Sequence, residues 1–253
     1  HGMSFQDAVR TLAGEDFKTI PATQAEHKAK PPERTAFALP PKNNGNRRVF
    51  AYLHRSRGIA AEIVNHCIKY DLLYEDAQHH NAVFVGKDEN NNARYAFLRG
   101  TLTDSHFRQE ATGSDKSYGF FLRGSGKTLF VCEAAIDALS VATLRKFGGL
   151  DWKKDNYLAL GGVTASERKL PVALERTLNN FSFKRVVLCF DNDAAGQTAA
   201  RRIFTMLRQQ FPENLEVRTC VPEVKDFNDQ LCVKLQNGKN SPSRGTRESN
   251  LSR

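Results

Sequence analysis

Three acidic sites stand out in segment 127–235: Glu133, the pair Asp191 and Asp193, and the pair Asp226 and Asp229. Glu133 follows the apolar run Thr128-Leu-Phe-Val-Cys132, and Asp191 follows Arg185-Val-Val-Leu-Cys-Phe190. Carboxylates that close several apolar runs of one sheet point to a divalent metal. Residues two apart in an extended segment face the same way, so Asp191 and Asp193 are expected to aim together, with Asn192 turned aside. Bare carboxylates so close repel, and some take up protons. Magnesium relieves that repulsion and prefers few carboxylates plus waters and phosphate oxygens. Gly196 opens the next helix, where free N–H groups and the lack of a side chain suit a phosphate.

The elements around these acids alternate. Short apolar runs at 128–132, 157–160, 185–190 and 215–221 read as buried strands. Helical patterns separate them. Ile136, Leu139, Ala142 and Thr143 form one stripe, stopped by Gly148-Gly149. Pro171 opens a second helix, and 195–211 forms a third, closed by Pro212. A last short helix is expected at 227–235. This order implies a mostly parallel α/β sheet whose ligands bind beyond the carboxyl ends of the strands. Glu133, Asp191 and Asp226 all fall on that edge. Each acid also has an ordinary explanation: Asp193 and Asp226 as helix caps, Asp137 as a solvated helix residue. The joint pattern favours a site.

Glu133-Ala-Ala-Ile-Asp137, Asp191-Asn-Asp193-Ala-Ala-Gly196 and Lys225-Asp-Phe-Asn-Asp229, in this order, resemble the three motifs of the toprim domain. That domain is shared by bacterial primases, type IA and type II topoisomerases and some nucleases. The resemblance implies a Rossmann-like fold and a catalytic set of Glu133, Asp191 and Asp193. Glu133 would move a proton or hold metal. Asp191 and Asp193 would bind magnesium, for which manganese can substitute, with Asp137 and Asp226 as supporting acids.

Upstream, Tyr52-Leu-His-Arg-Ser-Arg-Gly58-Ile59 precedes a helix with Ile63, Val64, Cys67 and Ile68 inward. A hairpin follows, with strands 82–85 and 93–98 joined by an Asn-rich turn, and ends in Arg99-Gly100-Thr101. Gly113-Ser-Asp-Lys-Ser-Tyr-Gly119-Phe-Phe leads into the sheet. This order resembles the amino-terminal part of the DnaG-type primase core. It is more similar still to the domain paired with toprim in primase-like proteins of plasmids and conjugative elements. The resemblance implies that Arg99 and Lys116 face a nucleic-acid or nucleotide groove, with Arg57 and Arg108 nearby. Residues 5–12 resemble the helix that ends a primase zinc ribbon.

The expected organisation is a helix at 1–18, a Pro-rich linker at 19–46, a small α+β subdomain at 47–125, toprim at 126–235 and a disordered tail at 236–253. The chain opens on His1, which reads as the start of a fragment or as two residues ahead of Met3. The five cysteines are scattered with no C-x-x-C pair, so no zinc site is expected and a reducing bacterial cytoplasm is. No stretch reads as a membrane span or signal peptide. The formal charge of +9 favours a phosphate-backbone partner, although part of it sits in the tail.

The first expectation for function is primase-like nucleotidyl transfer, with single-stranded DNA and nucleoside triphosphates as partners and a helicase or other replication protein nearby. A toprim nuclease and a non-catalytic nucleic-acid-binding module of a mobile element remain open. A topoisomerase is less favoured, because the tyrosines fall inside the two recognised domains rather than on a separate one.

Overall fold

A computed structural model of the chain describes residues 36–102, 106–163, 169–212 and 215–240. Helix α1 (Arg47–Ala51) runs into a π-helical turn, Tyr52–Ser56, and α2 (Ala61–Lys69) follows. Strands β1 (Leu73–Glu75), β2 (Ala82–Lys87), β3 (Ala93–Arg99) and β4 (Arg108–Glu110) form an antiparallel sheet in that order. Glu75 ties helix to sheet: its buried carboxylate accepts the Arg48 and Val49 amides at 3.0 and 3.2 Å. Such N–H groups at a helix start have no partner within the helix. The Asn-rich turn closes on Asp88, whose Oδ1 accepts the Asn90 and Asn92 amides.

Residues 36–46, read from sequence as the end of a linker, lie along this sheet. Phe37 and Leu39 pack against Tyr74, Val83 and Val85, and the Tyr74 hydroxyl donates to the Pro40 carbonyl at 2.7 Å. Prolines rule out a helix here but not an extended segment that covers an apolar sheet face. The helix expected at 5–12 and the rest of the linker lie outside the described residues.

The second sheet contains β5 (Phe120–Leu122), β6 (Thr128–Cys132), β7 (Asn156–Ala159), β8 (Arg185–Cys189) and β9 (Glu216–Thr219), in the order β5-β7-β6-β8-β9. All pairings are parallel except that of β5 with β7. Four helices accompany it: α3 (Ala135–Phe147), α4 (Val172–Asn180), α5 (Ala194–Gln210) and α6 (Phe227–Asn240). Strand side chains alternate between faces. Leu129, Val131, Val186 and Leu188 meet α4 and α5, whereas Phe130, Cys132, Val187 and Cys189 meet α3, α6 and the first helices. Helix α6 continues five residues past the expected 235, into the start of the expected tail. The remainder, 241–253, lies outside the described residues. Strand β5 was not anticipated, since three residues carry no measurable period.

The strand order places the chain's change of direction between β6 and β8. From β6 the chain crosses to β7 on one side; it then returns past β6 to β8 on the other. Such a switch point opens a crevice at the carboxyl edge. Glu133 and Asp191 stand on its two sides.

The two sheets meet where β2 passes β5. Phe84 and Phe120 pack edge to face with centroids 5.6 Å apart, and a Cβ on Gly86 would lie 2.0 Å from the Tyr118 carbonyl oxygen. Gly86→Ala is therefore expected to lower the free energy of unfolding by about 1–3 kcal/mol, the usual cost of overpacking. Gly45→Ala, with nothing within 4 Å, serves as the control in the same urea titration. Equal midpoints for the two variants would refute this close approach.

Candidate active site

Strands β6 and β8 run in register, with Cys132 opposite Cys189. Glu133 therefore emerges beside the end of β8, opposite Phe190, and its carboxylate reaches one residue further to accept the Asp191 amide at 3.2 Å. A Cβ on Gly196 would lie 2.5 Å from the Asp191 carbonyl oxygen and 2.9 Å from Glu133 Oε1. Gly196 thus makes room for the acids, and its amide goes to Asp193 rather than remaining free for a phosphate. The third motif is tied to the second by the Asn192 amide, which donates to the Lys225 carbonyl at 2.8 Å.

The carboxyl edge of the second sheet floors a cavity of about 640 Å³. Glu133, Asp137, Asp191 and Asp226 line it, with Lys225 beside them. The first sheet forms the opposite wall through Phe84, Tyr95, Phe97, Arg99, Arg108 and Glu110, and Arg57 closes one end. Arg99 and Arg108 are cross-strand partners on β3 and β4. Like charges placed directly opposite destabilise a sheet. Among the described residues neither arginine forms an ion pair. A polyanion in the cavity would relieve that repulsion.

Of the expected binding residues, Arg57, Arg99 and Arg108 line the cavity, whereas Lys116 and Gly196 do not; nor does the expected catalytic Asp193. The Lys116 ammonium lies 3.1 Å from Glu110, a residue of the wall. Asp193 is exposed and caps α5, accepting the Gly196 amide at 2.8 Å. Asp226 similarly accepts the Asp229 amide at 2.7 Å at the start of α6. The ordinary cap reading thus describes both hydrogen bonds, without using the second oxygen of either carboxylate. Asp137 is buried rather than solvated and accepts the Asn228 amide at 3.2 Å. Tyr95, Glu110, Lys225 and Asn228 also line the cavity and were not singled out as site residues. Lys225 and Asn228 lay inside the third motif as it was read. Tyr95 gave no signal beyond one apolar position of a strand.

Burial, and then the neighbouring Asp191, pushes Glu133 up to about 7. Burial followed by Asp226 and Asp191 pushes Asp137 up to about 8. Burial followed by Asp226 and Asp193 raises Asp191 to about 6. Among the described residues no three acids, cysteines or histidines form a ready-made metal cage. The donor set nevertheless suits magnesium: crowded carboxylates with raised pKa values, on a cavity wide enough for waters and phosphate oxygens.

The residues thus define an α/β domain with an acidic carboxyl edge facing a cationic antiparallel sheet. Residues 130–231 match the family model described as toprim-like, and the chain carries a toprim-like domain. Residues 51–127 match the family described as "Protein of unknown function (DUF3991)". The DnaG primase catalytic domain bound to ssDNA superposes with a TM-score of 0.50 at 13% identity, covering 78% of this chain and 74% of that one. The primase fragment of the bacteriophage T7 primase-helicase protein gives 0.49 at 23% identity, covering 73% and 69%. The E. coli primase catalytic core gives 0.49 at 15%, covering 75% and 69%. The likeness to the DnaG catalytic domain shows the fold. No curated protein matches the chain. No helix among the described residues is long and apolar enough to cross a membrane.

The raised carboxylates have a thermodynamic consequence. Unfolded carboxylates ionise near pH 4, so the folded chain retains protons that the unfolded chain has lost. Asp137 therefore costs stability as pH rises from about 4 towards 8. His66, whose pKa is lowered chiefly by burial, acts in the opposite sense near neutrality, so the variant difference is the useful readout. In chelator, the melting temperature of Asp137→Asn should rise relative to that of wild type as pH goes from about 5 to about 8. A difference that does not grow with pH would refute a proton-retaining Asp137.

Proposed function

We propose that the chain is a primase-like, divalent-metal-dependent nucleotidyltransferase that makes short RNA primers on single-stranded DNA. The observation that carries this reading is the cavity itself, where four carboxylates face Arg57, Arg99 and Arg108 across one space. An acidic floor alone would repel phosphates. A cationic wall alone would bind a strand without providing chemistry.

The arginines would seat the template strand or the triphosphate, each through charge-assisted hydrogen bonds to phosphate oxygens. Asp191 and Asp226 would hold magnesium or manganese, with Asp193 contributing its oxygen not engaged in the cap and Asp137 supporting from beneath. When bound, that ion would supply charge neutralisation for the phosphates. Glu133, at about 7, is poised to accept the proton of an attacking hydroxyl near neutral pH. The buried aromatic wall of Phe84 and Tyr95 limits water on that side. A helicase or other replication protein is the natural partner of such an activity, and a plasmid or conjugative element a natural setting.

The decisive assay combines single-stranded DNA, labelled ribonucleotides and magnesium or manganese. Short RNA products are expected from wild type, with losses of about 100-fold or more for Glu133→Gln and Asp191→Asn, as for removal of a proton-transfer group. Cleavage of the DNA without synthesis would replace this reading by a nuclease. Binding without either reaction would leave a non-catalytic module.

Strand binding should also depend on salt. Arg99→Ala and Arg108→Ala should each reduce the slope of log affinity against log salt by about 0.7, the single-strand value per phosphate contact. An unchanged slope would remove that arginine from the phosphate track.

A further inference from the structure

The third motif carries one buried polar side chain that metal chemistry does not require. Asn228 is 4% exposed, and its amide is held by two elements. Nδ2 donates to the Arg57 carbonyl at 2.8 Å and to Ser140 Oγ at 3.0 Å. Oδ1 accepts from Arg57 Nη1 at 3.3 Å. The orientation of the amide is settled chemically. The Arg57 carbonyl can only accept, and Ser140 already donates its proton to the Ile136 carbonyl at 2.8 Å. Both must face Nδ2, which leaves Oδ1 for the guanidinium. The backbone amide of the same residue donates to Asp137 at 3.2 Å.

Arg57 is otherwise held by its own neighbours. Nε donates to the Tyr52 hydroxyl at 3.0 Å, and the guanidinium lies 5.2 Å from the Tyr52 ring centroid. The following Gly58 has φ +71°, and a Cβ there would lie 2.6 Å from Leu235 on α6. The Arg57–Gly58 turn therefore rests on the helix that begins in the third motif. A guanidinium offers five N–H donors, of which Tyr52 and Asn228 engage two, so donors remain for a ligand in the cavity Arg57 lines.

We propose that Asn228 is a positioning residue that holds the Arg57 guanidinium against the acidic cleft, where it receives a phosphate of the bound single strand. One amide thereby sets the distance between the cationic and acidic sides of the site. The proposal rests on the nucleic-acid reading of the cleft given above. A long arginine side chain without this restraint spreads over many rotamers, and ordering it on binding then opposes affinity.

The test is a double-mutant cycle on equilibrium binding of a fluorescein-labelled single-stranded DNA in chelator, which separates binding from catalysis. Arg57→Ala and Asn228→Ala are each expected to weaken binding about tenfold, as for loss of a hydrogen bond to a charged group. The double variant should bind no more weakly than Arg57→Ala alone. Additive losses, or Asn228→Ala binding like wild type while Arg57→Ala does not, would overturn the proposal. If Asn228→Ala does not fold, Ser140→Ala takes its place in the cycle, since it removes an acceptor of the Asn228 amide and otherwise only the hydroxyl's bond to the Ile136 carbonyl within α3; a smaller, non-additive loss is then expected. If Arg57→Ala binds normally, the strand-binding reading of Arg57 fails by itself. The Arg57 Nε–H resonance then decides the positioning role: it should shift in Asn228→Ala, or in Ser140→Ala where that variant stands in, and an unchanged signal would overturn the role.

Discussion

Mutual repulsion among carboxylates at one sheet edge is the constraint on which the rest of the structure turns. Parallel β6 and β8 end side by side, and Glu133 reaches the Asp191 amide one residue beyond its own register partner. Burial removes the water that would screen them, and the raised pKa values of Glu133, Asp137 and Asp191 follow. The surrounding features answer this strain. Gly196 leaves room for the Glu133 side chain, and Lys225 lowers the pKa of Asp191. The first sheet supplies the larger positive charge from across the cavity. A fold that needed only stability would place apolar residues at this edge; retaining the acids makes sense as preparation for a cation and phosphates.

The parallel core was legible because its strands are buried on both faces and its helices are amphipathic. Continuous apolar runs and 3.6-residue stripes are strong local signals, and strand direction alone put Glu133, Asp191 and Asp226 on one edge. Local signals fail where partners are distant in sequence. Strand β5 is three residues long and exists because β7 and β2 receive it. Residues 36–46 read as linker because Pro40 and Pro41 continue the Pro-, Ala- and Lys-containing stretch before them; Phe37 and Leu39 acquire meaning only beside Tyr74 and Val85. The end of α6 was misplaced because the polar residues 236–240 prolong a helix whose buried contacts come earlier.

The same distinction separates the site residues. Arg99 ends a hairpin strand, and its position followed from the order of elements. Lys116 had similar support, yet it does not line the cavity and pairs instead with Glu110 of the wall, because loop residues have no period to fix their direction. Asn228 was visible as a letter of the third motif, but its role depends on Arg57, 171 positions away in sequence. A hydrogen-bond network of that range leaves no pattern in a single sequence.

Asp193 and Asp226 show why a cap and a metal ligand need not be rival explanations. Each carboxylate uses one oxygen to satisfy an amide at the start of a helix, α5 or α6. A carboxylate has about four acceptor sites, so the second oxygen stays available. The cap fixes the rotamer before any cation arrives, which lowers the entropy lost on coordination. The positive end of each helix also eases negative charge into a crowded edge, by about 0.3–1 kcal/mol in exposed settings. Glu133 differs: it accepts a strand-edge amide at 3.2 Å and lies against Asp191 at the switch point. A group held by a helix cap suits a fixed ligand, whereas one poised near neutrality suits a proton that must move. This difference between the two capped aspartates, Asp193 and Asp226, and the uncapped Glu133 follows from where the strands end and the helices begin.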